Sequence, residues 1–96
     1  VDVVVSGQCL EHVEYPWEWI KEIYRICKPG AYVFISVPFV FRPHDYPIDC
    51  WRVLPAGLEA LFKWAGFETV QTELIDGRGK TGGGKRVRFT FGVGRK

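Results

Sequence analysis

Two short polar clusters carry the groups able to do chemistry in this 96-residue chain. The first, "SGQCLEH" from Ser6 to His12, brings a hydroxyl, a thiol, a carboxylate and an imidazole together. The second lies in "FVFRPHDYPIDCWRVLP" and offers His44, Asp45, Asp49, Cys50 and Arg52. An imidazole can take a proton near neutral pH, and a guanidinium can hold an acidic group. Asp49 and Arg52, three residues apart, also suit a plain ion pair that braces their own segment. Cys9, His12, His44 and Cys50 can be drawn as a metal set. Zinc sites bring two ligands close in sequence on each side, and only Cys9 and His12 have that spacing, so no metal is expected. "GKTGGGKR" (Gly79 to Arg86) fits the start of a phosphate-binding loop, but Arg stands where Ser or Thr should meet Mg²⁺. It also precedes a strand rather than a helix, which rules that reading out.

Both clusters must be held by regular elements. "VDVVVS" (Val1 to Ser6), ending at Gly7, is a short apolar run of the kind buried on both faces of a sheet. "GQCLEHVEY" follows as a loop with room for a helical turn. Pro16 suits the first turn of a helix, where an N–H would go unused. From there Trp17, Ile20, Tyr24 and Cys27 fall on one face, widened by Ile23. Glu18–Lys21 and Glu22–Arg25 are spaced to pair on the wet side. Lys28 suits the negative end of the helix, and Pro29-Gly30 stops it. "AYVFISV" (Ala31 to Val37) then reads as a strand closed by Pro38. Strand, helix and strand make a βαβ unit with parallel strands and a right-handed crossover.

The proline-rich stretch from Phe39 to Pro55 has no period, and connections of this length are commonly functional. "PAGLEALFKWAG" is a helix with Leu58, Leu61, Phe62 and Ala65 on one side and Gly66 as its stop. "FETVQTELI" (Phe67, Val70, Thr72, Leu74) and "RVRFTFGVG" (Val87, Phe89, Phe91, Val93) alternate as strands around a glycine-rich turn. They predict an antiparallel pair. The whole is an α/β chain with a four-stranded mixed sheet in the spatial order first, second, fourth, third.

Length bounds this to one domain, residues 1–96, and 47% hydrophobic residues make it globular. The net charge of +2 argues against nucleic acid, although Lys80, Lys85, Arg86 and Arg88 gather late in the chain. Three cysteines without CxxC spacing, and no apolar run of membrane length, predict a reducing, cytoplasmic setting with no membrane partner.

The order of these pieces resembles the second half of a class I S-adenosylmethionine-dependent methyltransferase of the type 11 kind. The opening strand "VDVVVSG", then "LEHV", then "EIYRICKPGA" and "YVFISVP" carry the likeness. The family's helix-to-strand junction reads E-x-x-R-x-L-K-P-G-G, which "EIYRICKPGA" matches apart from Cys27 and Ala31. "PHDYPIDCWRVLPAGLEALFKWAGF" is similar to a subgroup with a proline-rich loop after the fifth strand, and the closing antiparallel strand pair is a family hallmark. The resemblance implies a partial Rossmann-like methyltransferase sheet whose first strand corresponds to the family's fourth.

It further implies that Ser6, Gly7, Gln8, Cys9 and Leu10 line the methionine end of S-adenosylmethionine, while Glu11 and His12 face the cofactor or a small-molecule acceptor. Leu10 and Val13 can equally plug the core beneath the loop, with His12 satisfying a backbone carbonyl. His12 or His44 would serve as the base that takes the acceptor's proton, and Asp49 and Arg52 would hold the acceptor. The glycine-rich turn and acidic strand end that grip the cofactor in this family do not occur in these 96 residues. A partial domain missing that amino-terminal half is therefore expected, with little activity alone. Its edge strand Val1–Ser6 should pair with a second copy or a companion chain. The reading from another class is a non-catalytic module that self-associates.

Overall fold

The secondary-structure elements succeed one another much as the spacing predicts. The computed structural model describes residues 1–7, 9–40, 51–78 and 86–96. Strand β1 (Val3–Gly7) leads into a 3-10 turn (Leu10–His12) and helix α1 (Pro16–Ile26). Strand β2 (Tyr32–Val40), helix α2 (Pro55–Ala65) and strands β3 (Glu68–Arg78) and β4 (Arg86–Arg95) follow. The strands form one sheet in the order β1-β2-β4-β3. β1 and β2 are parallel, and β4 is antiparallel to both its neighbours, as the mixed topology requires. No helix among the described residues is long and apolar enough to cross a membrane.

Helix α1 opens on Pro16, and the carbonyl of Tyr15 accepts from the amides of Glu18 and Trp19, each at 3.0 Å. Its buried stripe is Pro16, Ile20 and Ile23, continued by Cys27. Trp17, which its spacing assigns to this stripe, is instead 43% exposed. At about 100° per residue it lies roughly 90° from the centre of the stripe, so its ring leaves the core sideways. On the wet side Glu22 accepts from Arg25 Nε at 2.8 Å. Lys21 lies over the Trp64 ring of α2, 4.1 Å from its centroid, in place of the expected pairing with Glu18. Lys28 reaches Asp2 at 3.9 Å. The cation that does bind the end of α1 is Lys96, whose ammonium donates to the carbonyls of Tyr24 (2.8 Å) and Cys27 (2.9 Å). Gly66 ends α2 with φ +108°, and a Cβ there would meet the Tyr24 ring at 3.2 Å. That position needs glycine twice over.

Both helices pack on one face of the sheet. Val33, Ile35 and Val37 of β2 are fully buried there with Ile20, Leu58 and Phe62. β4 turns Thr90, Gly92 and Gly94 toward α2, because only residues without bulk let the helix approach. A Cβ on Gly92 would stand 2.4 Å from Leu58 Cδ2, and one on Gly94 would stand 3.0 Å from the Phe62 ring. The apolar alternation of β4 therefore faces the other way. Strand register sets Val93 beside Phe34, Phe91 beside Ser36, Val5 beside Phe34 and Val3 beside Tyr32 on that opposite face. None of the described helices covers it, and Val3 and Val5 remain 54% and 76% exposed.

Two strands depart from their expected form. β2 runs through Pro38 to Val40 rather than stopping at Val37. Its pairing with β1 ends at Ser36, so Pro38 sits where one flank is already an edge, a position proline tolerates, and the register shifts just beyond it. In β3 the register shifts between Thr69 and Gln71, leaving Val70 as the extra residue of a bulge and exposed. The bulge resets the phase, so Thr69 and Thr72 pair with Gly94 and Gly92 respectively.

Candidate functional site

Parallel strands β1 and β2 end on the same margin of the sheet, where ligands of open α/β folds bind. Ser6 is half-buried at the end of β1, and its Oγ is enclosed without a hydrogen-bond partner. Gly7 beside it is exposed, and a Cβ there would meet no atom within 4 Å. An unsatisfied hydroxyl next to open space is what a polar ligand would use. Cys9 follows with an exposed free thiol. The amide of His12 donates to the carbonyl of Cys9 at 3.0 Å and that of Val13 to Leu10 at 3.1 Å, closing the 3-10 turn. Leu10 is fully buried and anchors this turn in the core, while His12 stays half-buried.

Of the second cluster the described part, Trp51 to Val53 with Arg52, is held at the same margin by a few specific bonds. The amide of Val53 donates to the carbonyl of Pro38 at 3.3 Å, and Thr90 Oγ1 donates to the carbonyl of Val53. Trp51 Nε1 donates to the carbonyl of Val13 at 2.6 Å, joining segments 38 residues apart. Arg52, half-buried, donates from Nη1 to the carbonyl of Trp51 at 3.1 Å. Arg52 is thus tethered one residue from the indole that touches the His12–Val13 segment. Gln8, His44, Asp45, Asp49 and Cys50 lie outside the described residues, as do Lys80, Lys85 and the side chains of Glu11 and Arg86. No group of three or more His, Cys, Asp or Glu that could hold a metal occurs among the described residues.

Sequence reasoning missed the two tryptophans. Trp17 and Trp51 meet edge to face, with centroids 6.3 Å apart and planes at 77°, beside a cavity of about 400 Å³. The available signal was a tryptophan at the very start of the α1 stripe and another in a proline-rich segment without period.

The chain resembles known proteins along most of its length. A family model described as a methyltransferase domain matches residues 1–72. A Mycolicibacterium smegmatis protein named as a probable S-adenosylmethionine-dependent methyltransferase is 33% identical over 78 residues, covering 75% of this chain and 30% of its own length. A crystal structure of a SAM-dependent methyltransferase from Methanosarcina mazei superimposes with a TM-score of 0.76 at 18% identity. It covers 99% of this chain and 58% of that one. The 1,6-didemethyltoxoflavin-N1-methyltransferase of Burkholderia thailandensis, solved with 1,6-didemethyltoxoflavin and S-adenosylhomocysteine, gives 0.75 at 18% identity, covering 99% of this chain and 43% of that one. At such identities the structural likeness speaks to the fold. The chain therefore spans about a third of its curated relative and about half of these structural neighbours. Sheet order and family match agree, and the chain belongs to the methyltransferase-domain family.

Proposed function

We propose that this chain contributes the acceptor-side part of a site for methyl transfer from S-adenosylmethionine to a small organic molecule. The observation that carries the reading is the end of β1, where an enclosed, unpartnered Ser6 hydroxyl adjoins the open backbone at Gly7. When bound there, S-adenosylmethionine supplies an electrophilic methyl group on a sulfonium. Ser6, Gly7, Gln8 and Cys9 would hold its amino-acid end, by hydroxyl and backbone groups on a strand terminus that admits close approach, while Leu10, fully buried, would act only by anchoring the turn. His12, or His44, would accept the proton of the acceptor, and Glu11, Asp49 and Arg52 would orient it. The glycine-rich turn and acidic strand end expected of the family would come from a further polypeptide segment. The bare sheet face and the β1 edge offer the place for it.

An NMR titration of the 96-residue chain with S-adenosylhomocysteine tests this. Amide shifts should concentrate at Ser6–His12, with affinity on the order of millimolar because part of the grip is missing. Gly7→Val should weaken binding at least about tenfold without changing the circular dichroism spectrum, since its Cβ enters open space. Shifts elsewhere, or none, would remove the methyl-transfer reading. Micromolar affinity would remove the idea that half the site lies on another segment.

The exposure of Val3 and Val5 favours a second reading, a non-catalytic module that self-associates through Val1–Ser6. Sedimentation at high concentration discriminates: concentration-dependent association supports it, and a stable monomer counts against it.

A further inference from the structure

The cavity beside Trp17 and Trp51 is walled mostly by apolar side chains. Pro16 and Trp17 come from α1, Leu61 from α2, and Trp51, Val53 and Leu54 from the segment before α2. Its aromatic surface is exposed and yet held in place. Trp17 is 43% and Trp51 36% exposed, which leaves ring surface available to a ligand. The Trp51 ring is fixed by its N–H bond to the Val13 carbonyl at 2.6 Å, and Trp17 meets it edge to face at 6.3 Å. Tyr15 extends the row, 6.0 Å from Trp17 with planes at 68°. Rings already fixed in this way lose little further freedom when a ligand arrives, which favours binding.

Size and polarity narrow the occupant. A volume of about 400 Å³ lies within the range of small-molecule sites. An apolar cavity of about 150 Å³ holds benzene, so this one has room for two fused rings. The Trp51 N–H and Arg52 Nη1 are already engaged, with the Val13 and Trp51 carbonyls respectively. A charged group placed here would exchange its hydration for walls made mainly of rings and aliphatic groups. An uncharged ring gives up far less. It can also meet the indoles in the offset and edge-to-face arrangements that aromatic pairs prefer.

We infer that this cavity binds an uncharged aromatic molecule of two fused rings, packed against Trp17 and Trp51. The Trp51 bond ties the cavity to Val13, the residue after His12, so the ligand lodges beside the segment assigned to methyl transfer. On the methyl-transfer reading this ligand is the acceptor, whereas its chemical class rests on the cavity alone.

The test uses the 96-residue chain with 2-naphthol, its saturated analogue decahydro-2-naphthol and the anion 2-naphthoate, read at neutral pH on the indole N–H resonances of Trp17 and Trp51. 2-Naphthol should bind at least roughly threefold more tightly than either analogue. Trp17→Ala should weaken it about tenfold with an unchanged circular dichroism spectrum, because this ring lies outside the core. Ala56→Trp, at an exposed position on the lining, should plug the cavity and abolish the naphthol response. Equal binding of all three probes, undiminished binding in either variant, or no response at about 1 mM naphthol overturns the proposal. Indole shifts that follow protein concentration without ligand would place a second copy in the cavity and overturn it as well. Naphthol binding without any response to S-adenosylhomocysteine supports the ligand class and removes the methyl-transfer reading. A response to S-adenosylhomocysteine without naphthol binding overturns the cavity proposal alone.

Discussion

Replacing Gly92 by alanine adds one methyl group to the face of β4 that receives α2. Its Cβ would lie 2.4 Å from Leu58 Cδ2 and 3.1 Å from both Leu58 Cγ and Phe62 Cε2. Leu58 and Phe62 are fully buried, so neither side chain can swing into solvent. The helix must lift or Leu58 must leave its rotamer, and overpacking of this kind costs about 1–3 kcal/mol. Against it stands the lower chain entropy of alanine in the unfolded state, which stabilises by about 0.4–1 kcal/mol. The balance is a loss of about 1–2 kcal/mol, and for a chain this size that is a fall in Tm of roughly 5–15 °C. A double-mutant cycle isolates the cause. Leu58→Ala alone should cost about 2–5 kcal/mol by leaving a cavity. Combined with Gly92→Ala, part of that cavity is refilled, so the double variant should be more stable than the sum of singles by about 1 kcal/mol or more. Urea unfolding followed by circular dichroism measures all four proteins. Strict additivity, or a Gly92→Ala variant more stable than the parent, would refute the claim that α2 sits on a glycine face. A lifted helix would also change the space beside Trp17 and Trp51, since the first turn of α2 frames that cavity.

Two further outcomes follow from contacts at the ends and surface of α1. Lys96→Met should destabilise by about 1–2 kcal/mol, because the carbonyls of Tyr24 and Cys27 lose a charged donor that also lies 4.2 Å above the Tyr24 ring; thermal unfolding measures it. The hydrogen bond from Arg25 and its charge hold the Glu22 carboxyl below its ordinary pKa. Any stability this adds is present above the normal carboxylate range and is lost as pH falls through the lowered value. Carbon-detected NMR should show Glu22 titrating below the ordinary glutamate range, and Arg25→Gln should raise it back.

The candidate site was legible in the sequence to the extent that topology is. Residues Ser6–His12 were expected past the end of a parallel strand, and the structure keeps Ser6 and Gly7 as the last residues of β1 and puts Cys9 and the 3-10 turn beyond it. The spacing could not show that Leu10 faces inward and that Ser6 Oγ is enclosed, because burial depends on what α1 and β2 lay over the loop. Arg52 was a candidate from its charge alone. Its place on a lining shared with Trp17 and Trp51 came from bonds spanning dozens of residues, Trp51 to Val13 and Thr90 to Val53.

Short-range pattern in the chain was enough for the elements and their order. The stripe of α1, the Pro29-Gly30 stop, the αL glycine after α2 and the terminal strand pair are all properties of neighbouring residues, and neighbours in sequence share one local geometry. Tertiary structure alone decided which side of β4 is inside. The apolar side, Phe89, Phe91 and Val93, looked like the core face by hydrophobicity, yet the helix took Thr90, Gly92 and Gly94. Helix approach is governed by the volume left between two surfaces, and that volume is set by residues from α2 and β4 together. The bulge at Val70 and the Lys96 clamp have the same origin, for each satisfies a partner brought near only once the sheet has formed.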